Sequence, residues 1–337
     1  MSRTFRALMV RESEGVYNTA VEEVTFGELN ENDVLIEVEY SSVNYKDALS
    51  ASGNKGVTRK FPHIPGIDAA GKVVSSKSGL FKEGDSVIVT GYDLGMNTWG
   101  GFGQYISVPA GWVIRLPQGL TSFEAMCYGT AGLTAGISVF NLIKSGLTPD
   151  NGKIVVSGAT GGVGSISTAI LSKIGYDVVA ISGKNNNDYI KNTLGASEVI
   201  SREDFTSKYD ARAMSATDFA GGIDCVAGNI LSGMIKSLKY GGAVTCCGNV
   251  ASGDLGTSTY PFILRGVRLI GIDSVEQPLS FKEEIWSFLA NDFKPDFLSE
   301  MVQVISIDDL KEALETILKG GAEKRFVVKQ TDKILIG

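Results

Sequence analysis

The chain has 337 residues, a length that suits two domains of ordinary size better than one large domain or three small ones. Hydrophobic residues make up 43% and charged residues 20%, which excludes a disordered chain or a solenoid of polar repeats. Lys and Arg number 31 against 38 Asp and Glu, and the resulting net charge of −7 argues against a nucleic-acid-coating protein. The first apolar run, Ala7–Val10, is too short for the core of a signal peptide. No run of 18 uncharged apolar residues follows, so a soluble, cytoplasmic protein with no membrane attachment is expected.

The first third reads as strands. Val34–Tyr40 partly alternates, and Gly71–Val74, Ser86–Val89, Gln104–Val108 and Trp112–Arg115 are short β-rich runs set off by Gly, Ser, Asp or Pro. Strands so closely spaced, with glycine turns between them, predict a compact barrel-like β domain. The character changes near residue 122, where Ser122 looks like the cap of a helix, and Gly129–Gly136 supplies small residues that let a helix pass close to other backbone.

From Lys153 the rhythm becomes strand, glycine turn, helix, strand: Lys153–Ser157, a glycine cluster, a helix over Ser165–Ile174 and a buried strand at Asp177–Ile181. Further β-like runs at Gly222–Val226, Gly242–Cys246 and Val267–Ile272 predict a parallel, doubly wound sheet. Helices are expected at Leu279–Ala290 and Ile307–Lys319, and a last strand at Arg325–Lys329. This tail is read as returning to the first domain. The expected division is therefore 1–125 with 275–337, and 126–274 inserted between them.

The strongest chemical signal is Gly158-Ala159-Thr160-Gly161-Gly162-Val163-Gly164, lying after an apolar strand and opening a helix. That is the context of a dinucleotide fingerprint, here with Ala159 at its first glycine position. Glycines let the backbone approach a pyrophosphate, and the helix N-terminus offers unpaired N–H groups. Sites for NAD carry Asp or Glu about 20 residues on, to hold the ribose 2′-hydroxyl. Here the second strand ends Ser182-Gly183-Lys184, with no acid, and Arg202 follows the third strand-like segment at Glu198–Ile200. A hydroxyl, a glycine and cations accept a 2′-phosphate, so NADPH is the expected cofactor, unless Lys184 and Arg202 are merely solvated loop charges.

His63 is the sole histidine, which rules out a Ser-His-Asp triad as well as a multi-histidine metal site; it is expected as a packed or surface residue. Cys127, Cys225, Cys246 and Cys247 show no Cys-x-x-Cys spacing and are expected as small buried hydrophobes in a reducing compartment. No metal site is expected. What remains is metal-free hydride transfer to an electron-poor double bond or a quinone, whose own carbonyl takes up charge.

Asn44-Tyr45-Lys46-Asp47, Pro65–Gly71, Trp99-Gly100-Gly101, Gly129-Thr130-Ala131-Gly132, the glycine turn and Pro261-Phe262-Ile263-Leu264-Arg265 occur in one order. Together they resemble the medium-chain dehydrogenase/reductase superfamily in its zinc-independent, quinone-oxidoreductase-like branch. The nearest likeness is to the YhdH/YhfP family, which includes NADPH-dependent acrylyl-CoA reductases, and it spans essentially the whole chain. The resemblance implies a GroES-like β domain, an inserted Rossmann domain, a cleft between them and a homodimer. It implies that Tyr45 lies by the nicotinamide and that Thr160, Gly161, Gly162 and Val163 hold the pyrophosphate. Ser182, Gly183, Lys184 and Arg202 would hold the adenosine phosphate, with Asn249, Ile263 and Ser274 on the nicotinamide side. Lys184 departs from the family's arginine, keeping the charge and losing the bidentate geometry. Gly66-Ile67-Asp68 stands where zinc-dependent relatives carry Gly-His-Glu.

The reading that follows is NADPH-dependent reduction of an α,β-unsaturated carbonyl compound, such as a short enoyl thioester of the acrylyl-CoA kind. Tyr45 either donates a proton or only packs on the nicotinamide, and Asp47 either orients neighbouring groups or closes a turn. Tyr92 and Trp99 either wall the substrate cleft or pack within their glycine-rich loop. The alternative enzyme is an NADPH:quinone oxidoreductase. A different class is a non-catalytic NADPH-binding sensor or an RNA-binding protein, the latter opposed by the acidic balance. Lys55, Arg59 and Lys60 are the nearest cations for the phosphates of coenzyme A.

Overall fold

The structure is a computed structural model in which residues 3–183 and 186–330 are described. The chain divides into two compact units. One comprises Met1–Thr130, Val275–Glu283 and Leu298–Gly337; the other comprises Ala131–Ser274 and Glu284–Phe297.

In chain order the first unit begins with β1 (Thr4–Ser13) and β2 (Val16–Thr25), an antiparallel pair joined at Glu14 and Gly15, both at positive φ. Two consecutive left-handed residues match the twist of a tight hairpin. There follow β3 (Val34–Ser42), α1 (Tyr45–Ala51), β4 (Asp68–Ser76), β5 (Ser86–Thr90), β6 (Tyr105–Val108) and β7 (Val113–Arg115). α2 (Ser122–Lys144) then leads out of the unit. Its cap is Thr121, not Ser122: the Glu124 N–H donates to the Thr121 hydroxyl, and the Thr121 N–H to the Glu124 carboxylate. Ser122 instead donates to Glu39 at 2.6 Å. By length and composition α2 is apolar enough to cross a bilayer, yet 78% of that stretch is buried inside the protein, and Gly129 (φ 52°, ψ −156°) breaks it.

The second unit carries β8 (Ile154–Ser157), α3 (Gly162–Lys173), β9 (Val178–Ser182), β10 (Glu198–Ser201), α4 (Arg202–Tyr209), β11 (Phe219–Asp224), α5 (Gly228–Ser237), β12 (Leu238–Cys246), α6 (Tyr260–Arg265) and β13 (Arg268–Gly271). Its six strands pair in parallel in the order β10-β9-β8-β11-β12-β13. The chain order reverses between β8 and β11, the doubly wound pattern that places ligands beyond the carboxyl ends of the strands at that switch. The central strands β8 and β9 are continuous buried apolar runs because both faces are covered; Val155, Val179, Ile181 and Val244 pack with Phe205, Ile230 and Met234 from α4 and α5.

The chain then forms α7 (Leu279–Ala290), β14 (Val302–Ser306), α8 (Leu310–Leu318) and β15 (Arg325–Lys329). β15 pairs with β3, and the first unit's sheet runs β14-β15-β3-β4-β5-β7, with β6 also on β3. The tail does not return to the first unit as one block. Residues 284–297 group with the second unit, because Ile285 and Leu289 lie against Gly136, and Phe288 meets Phe140 at 5.8 Å. The other boundary falls at 130/131 rather than the expected 125/126.

Candidate functional site

In the second unit, the turn after β8 is built by backbone. Gly158 sits at φ +61°, and the Gly161 N–H donates to its carbonyl at 2.8 Å. A Cβ at Gly164 would stand 2.2 Å from the Gly158 oxygen and 2.9 Å from that of Ser157, so only glycine lets the helix start this close to the turn. α3 starts at Gly162, three residues before the expected Ser165, with Gly161 as its N-cap. Thr160, Gly161, Gly162 and Val163 therefore surround the first turn, where N–H groups lack intrahelical partners. Gly161 is exposed and the other three are half-buried.

Beneath the turn lies Asp224 at the end of β11, fully buried. Its carboxylate accepts from the Ser157 hydroxyl at 2.7 Å and from the N–H groups of Ala227 and Val226 at 2.8 and 3.3 Å. Burial raises the Asp224 carboxyl above the usual carboxylate range, against the pull of these donors. The Ser157 oxygen in turn accepts from the Cys225 N–H at 2.9 Å. One buried carboxylate thus ties the turn after β8 to the loop after β11.

At the end of β9, Ser182 is buried and Gly183 exposed. Ser182 pairs in register with Ser201, and Arg202 follows as the first residue of α4. The Arg202 side chain lies directly over Gly183: a Cβ there would meet its Nε at 2.9 Å and its Cζ at 3.0 Å. Ser182, Gly183 and Arg202 are brought together, with no carboxylate among them. Lys184 lies outside the described residues.

Asn249 is exposed in the loop beyond β12, which packs on the loop beyond β11 through the bond from the Ala251 N–H to the Val226 carbonyl, 2.9 Å. Ile263 is 70% exposed on α6. Ser274 is buried and accepts from the Thr134 hydroxyl at 2.8 Å. Among the described residues, no hydrogen bond joins Ile263 or Ser274 to the glycine turn.

In the first unit, Tyr45 opens α1 and is 57% exposed. The helix starts there because Asn44 is extended (φ −124°) and the Asp47 carboxylate accepts the Asn44 N–H at 2.7 Å. The other Asp47 oxygen accepts the Ile67 N–H at 2.9 Å, so Asp47 both closes the turn and fixes the strand approaching β4. The buried Asp68 carboxylate accepts from the Ser42 hydroxyl (2.5 Å), the Asn44 amide (2.8 Å), and the Thr130 N–H (2.8 Å) and hydroxyl (2.5 Å). Burial and then the nearby Asp68 push the Asp47 carboxyl up to about 7, against the two backbone donors. Arg325 is half-buried close by, donating from Nε to the Cys127 carbonyl at 3.3 Å; burial lowers its pKa while Asp68, Cys127 and Asp47 raise it. A Cβ at Gly129 would stand 2.2 Å from the Ser42 hydroxyl and 2.6 Å from an Asp68 oxygen.

Asp68, Ser42, Thr130 and Arg325 were not singled out as site residues by sequence reasoning. The available signal was weak: Asp68 and Thr130 sit inside glycine-containing motifs, but nothing local joins them. Tyr92 is committed to packing, its ring stacked on Trp112, the Lys282 Nζ 3.4 Å from its centre and its hydroxyl donating to the Gln277 carbonyl. The Trp99 Nε1 donates to the Pro62 carbonyl. His63 is buried, with Nε2 hydrogen-bonded to the Gly95 carbonyl at 2.9 Å, and burial lowers its pKa. Of the cysteines only Cys127 is fully buried; the other three are half-buried, a departure from the expected four buried hydrophobes. Among the described residues no three His, Cys, Asp or Glu side chains group to hold a metal ion.

Two family models match: the alcohol dehydrogenase GroES-like domain over residues 30–118, and the zinc-binding dehydrogenase domain over residues 162–291. The chain is 44% identical to the putative quinone oxidoreductase YhfP of Bacillus subtilis, over 98% of this chain and all of that one. It is 40% identical to the acrylyl-CoA reductase AcuI of Ruegeria pomeroyi, over 96% and 98%. The crystal structure of the Salmonella enterica yhdH oxidoreductase in complex with NADP superposes with a TM-score of 0.92 at 38% identity, covering 96% of this chain and 99% of that one. That of YhfP, with NAD bound, gives 0.94 at 43% identity, over 97% and 100%. The chain belongs to the quinone oxidoreductase and acrylyl-CoA reductase family of the medium-chain dehydrogenases/reductases.

Proposed function

We propose that this protein is an NADPH-dependent reductase of activated double bonds in α,β-unsaturated carbonyl compounds, with a short enoyl thioester such as acrylyl-CoA as its acceptor. The observation that carries the cofactor assignment is the Arg202 guanidinium lying against Gly183 at the end of β9, with Ser182 beside it and no carboxylate. A 2′-phosphate finds a cation and a hydroxyl there, whereas a 2′-hydroxyl finds none of the carboxylates that usually hold it. Thr160, Gly161, Gly162 and Val163 are assigned to the pyrophosphate, Ser182, Gly183, Arg202 and the sequence neighbour Lys184 to the 2′-phosphate, and Asn249, Ile263, Ser274 and Tyr45 to the nicotinamide side. In this reading the unit holding 131–274 binds the cofactor and the other is the GroES-like catalytic domain. The 40% identity to an acrylyl-CoA reductase supports the acceptor class.

When bound, NADPH supplies the hydride that reaches the electron-poor carbon. The chain's own part is to hold polar groups where negative charge grows on the carbonyl oxygen. Tyr45 presents a phenol on a helix head fixed by Asn44 to Asp68 and by Asp47 to the Ile67 backbone. Replacing Tyr45 by Phe separates its two roles. A proton donor gives a loss in kcat of roughly a hundredfold or more with an altered pH profile, whereas a packing role leaves both unchanged.

The deciding experiment compares acrylyl-CoA, crotonyl-CoA and a benzoquinone as acceptors, each with NADPH and with NADH. Turnover of the enoyl thioester with NADPH favoured supports the proposal, and turnover of the quinone alone overturns it. The quinone reading draws on the 44% identity to a putative quinone oxidoreductase. Cofactor affinity with no turnover of any acceptor would instead mark a sensor. We place the protein in the cytoplasm, acting on small molecules without nucleic acid or membrane partners, as a homodimer. β13 supports the dimer: it is an edge strand bearing exposed Leu269, and α6 exposes Tyr260 and Leu264. Sedimentation of Leu269→Glu should show monomer if this edge forms the contact.

A further inference from the structure

Three thiols that the proposed reaction does not use cluster at the carboxyl ends of β11 and β12. Asp224 and Cys246 are register partners in these parallel strands. The next residues, Cys225 and Cys247, leave the sheet side by side, with Cα atoms about 4.8 Å apart if they keep strand spacing, within the range a disulfide spans. Their Sγ atoms stand 3.7 Å apart, and the Cys247 thiol also reaches the Asp224 carbonyl at 3.3 Å. Cys246 turns away, toward the Asp224 carboxylate and the Gly248 carbonyl at 3.8 and 3.9 Å. The hydrogen bond with Cys247, together with burial, pushes the Cys225 thiol well up.

This pair abuts the glycine turn. The Cys225 N–H is held by the Ser157 hydroxyl at 2.9 Å, and a Cβ on Gly158 would lie 3.5 Å from the Cys225 Cβ. Gly248, just after Cys247, is pressed so closely on Cys225 that a Cβ there would meet the Cys225 carbonyl oxygen at 2.3 Å. Two residues beyond Cys225, Ala227 sits at φ 62°, a conformation that L-residues other than glycine rarely take, so the loop has little slack.

We propose that Cys225 and Cys247 form a modification site, a dithiol that hydroperoxides or small-molecule disulfides close into an intrachain disulfide, and that closure weakens NADPH binding at the adjoining turn. The second half rests on reading residues 158–164 as the pyrophosphate turn. With a hydroperoxide, the half-buried Cys247 sulfur takes the terminal hydroxyl as the O–O bond breaks, giving a sulfenic acid and an alcohol, or water from hydrogen peroxide. The Cys225 sulfur then attacks that sulfur, the S–S bond forms, the S–O bond breaks, and water leaves with the thiol proton. Two thiols lose two electrons and the O–O bond gains them; with a small-molecule disulfide, Cys247 displaces one thiol to form a mixed disulfide, Cys225 displaces the second, and the oxidant's broken S–S bond takes the two electrons. Drawing the sulfurs from 3.7 Å to roughly 2.05 Å pulls Cys225 against the Ser157–Gly158 backbone.

The full-length protein, reduced and then treated with hydrogen peroxide or oxidised glutathione, is mapped by peptide mass spectrometry and titrated with NADPH by calorimetry. The expected result is a Cys225–Cys247 linked peptide and NADPH affinity weaker by roughly tenfold or more, restored by dithiothreitol. Cys247→Ser, with Cys247→Ala as a second variant, should bind NADPH like the reduced parent and keep that affinity after oxidant. No intrachain link, or a link through Cys246 or between chains, overturns the site. A correct link with unchanged NADPH affinity overturns the coupling. Failure of the reduced parent to bind NADPH sinks the cofactor reading instead, and the mass map still decides the disulfide.

Discussion

Each unit is organised around a buried aspartate that gathers hydrogen-bond donors, and the two differ in where the donors come from. Asp224 takes the N–H groups of Val226 and Ala227, two and three residues on, and the hydroxyl of Ser157, which ends the neighbouring strand. Asp68 takes Ser42 and Asn44, from a strand end and the adjoining helix cap, and Thr130, from a broken helix far along the chain; its charge helps raise the Asp47 carboxyl, and Asp68 and Asp47 both raise Arg325 against the effect of burial. The Asp224 cluster is a clasp between the ends of two paired parallel strands, although Ser157 and Asp224 stand 67 residues apart in the chain. The Asp68 cluster is a junction that exists only once three distant segments have met.

That difference predicts how each region breaks. Gly164 and Gly129 are equally tight: a Cβ would stand 2.2 Å from the Gly158 carbonyl oxygen at the first and from the Ser42 hydroxyl at the second. Backbone surrounds Gly164, so nothing near it moves aside. Gly164→Ala is expected to destabilise the second unit by about 3 kcal/mol or to abolish NADPH binding. Gly129 meets the Ser42 hydroxyl and the Asp68 carboxylate, and its φ of +52° adds strain, so Gly129→Ala should cost a similar amount while leaving NADPH affinity intact. Gly253→Ala, where nothing lies within 4 Å, is the control for both. Denaturant unfolding alongside cofactor titration reads all three; loss of NADPH affinity in Gly129→Ala but not in Gly164→Ala would reverse the assignment of the two regions.

The carboxylate pair beside α1 gives the next largest effect. Asp47 holds its proton more tightly folded than unfolded, with a value of about 7 against 3.8. Its contribution to folding is therefore complete below pH 3.8 and is lost as pH rises toward 7, a change on the order of 4 kcal/mol. Asp47→Asn should flatten that part of the stability profile between pH 4.5 and 8. Parallel slopes for variant and parent would show that the pair is not what sets the window.

Arg202 tests the other region through its ligand. Arg202→Ala removes one charge-assisted hydrogen bond, worth roughly 1.5–3 kcal/mol, so NADPH affinity should fall at least tenfold while NADH affinity stays level. Equal losses for both cofactors would mean that Arg202 supports the loop and does not read the phosphate. The NAD-bound structure of YhfP makes this a sharp test of which carrier the family site prefers in this chain.

How much of this was legible follows the same division. The apolar runs, the glycine turn and the acid-free end of β9 announced the parallel sheet and its cofactor edge because each signal spans fewer than about ten residues. Boundaries slipped by small amounts for local reasons: α3 starts at Gly162 because glycines tolerate the helix entry, and Thr121 caps α2 because its box partner is Glu124, not the residue after it. β1, β2, β14 and α1 escaped notice. β2 is mostly half-exposed, with polar residues on both sides, and α1 is seven residues long and set by a capping box rather than by an apolar stripe. The Asp68 junction left only a weak linear signal, because its donors at residues 42–44 and at Thr130 reach Asp68 only through strand register and the break at Gly129.

The smallest expected effect decides a single residue that resemblance assigned and geometry leaves buried. Ser274 accepts a hydrogen bond from Thr134 within the second unit. Removing the hydroxyl costs about 1 kcal/mol of folding stability if packing is its whole role, because the Thr134 hydroxyl loses an acceptor out of reach of water. If Ser274 also meets the nicotinamide side, Ser274→Ala should raise the KM for NADPH several-fold at unchanged kcat. Thr134→Val, which leaves the serine hydroxyl in place, should then cost stability without touching KM. A KM that moves equally in both variants would mean that the pair acts through the shape of its helix, and Ser274 would leave the cofactor site while the glycine turn and Arg202 remain in it.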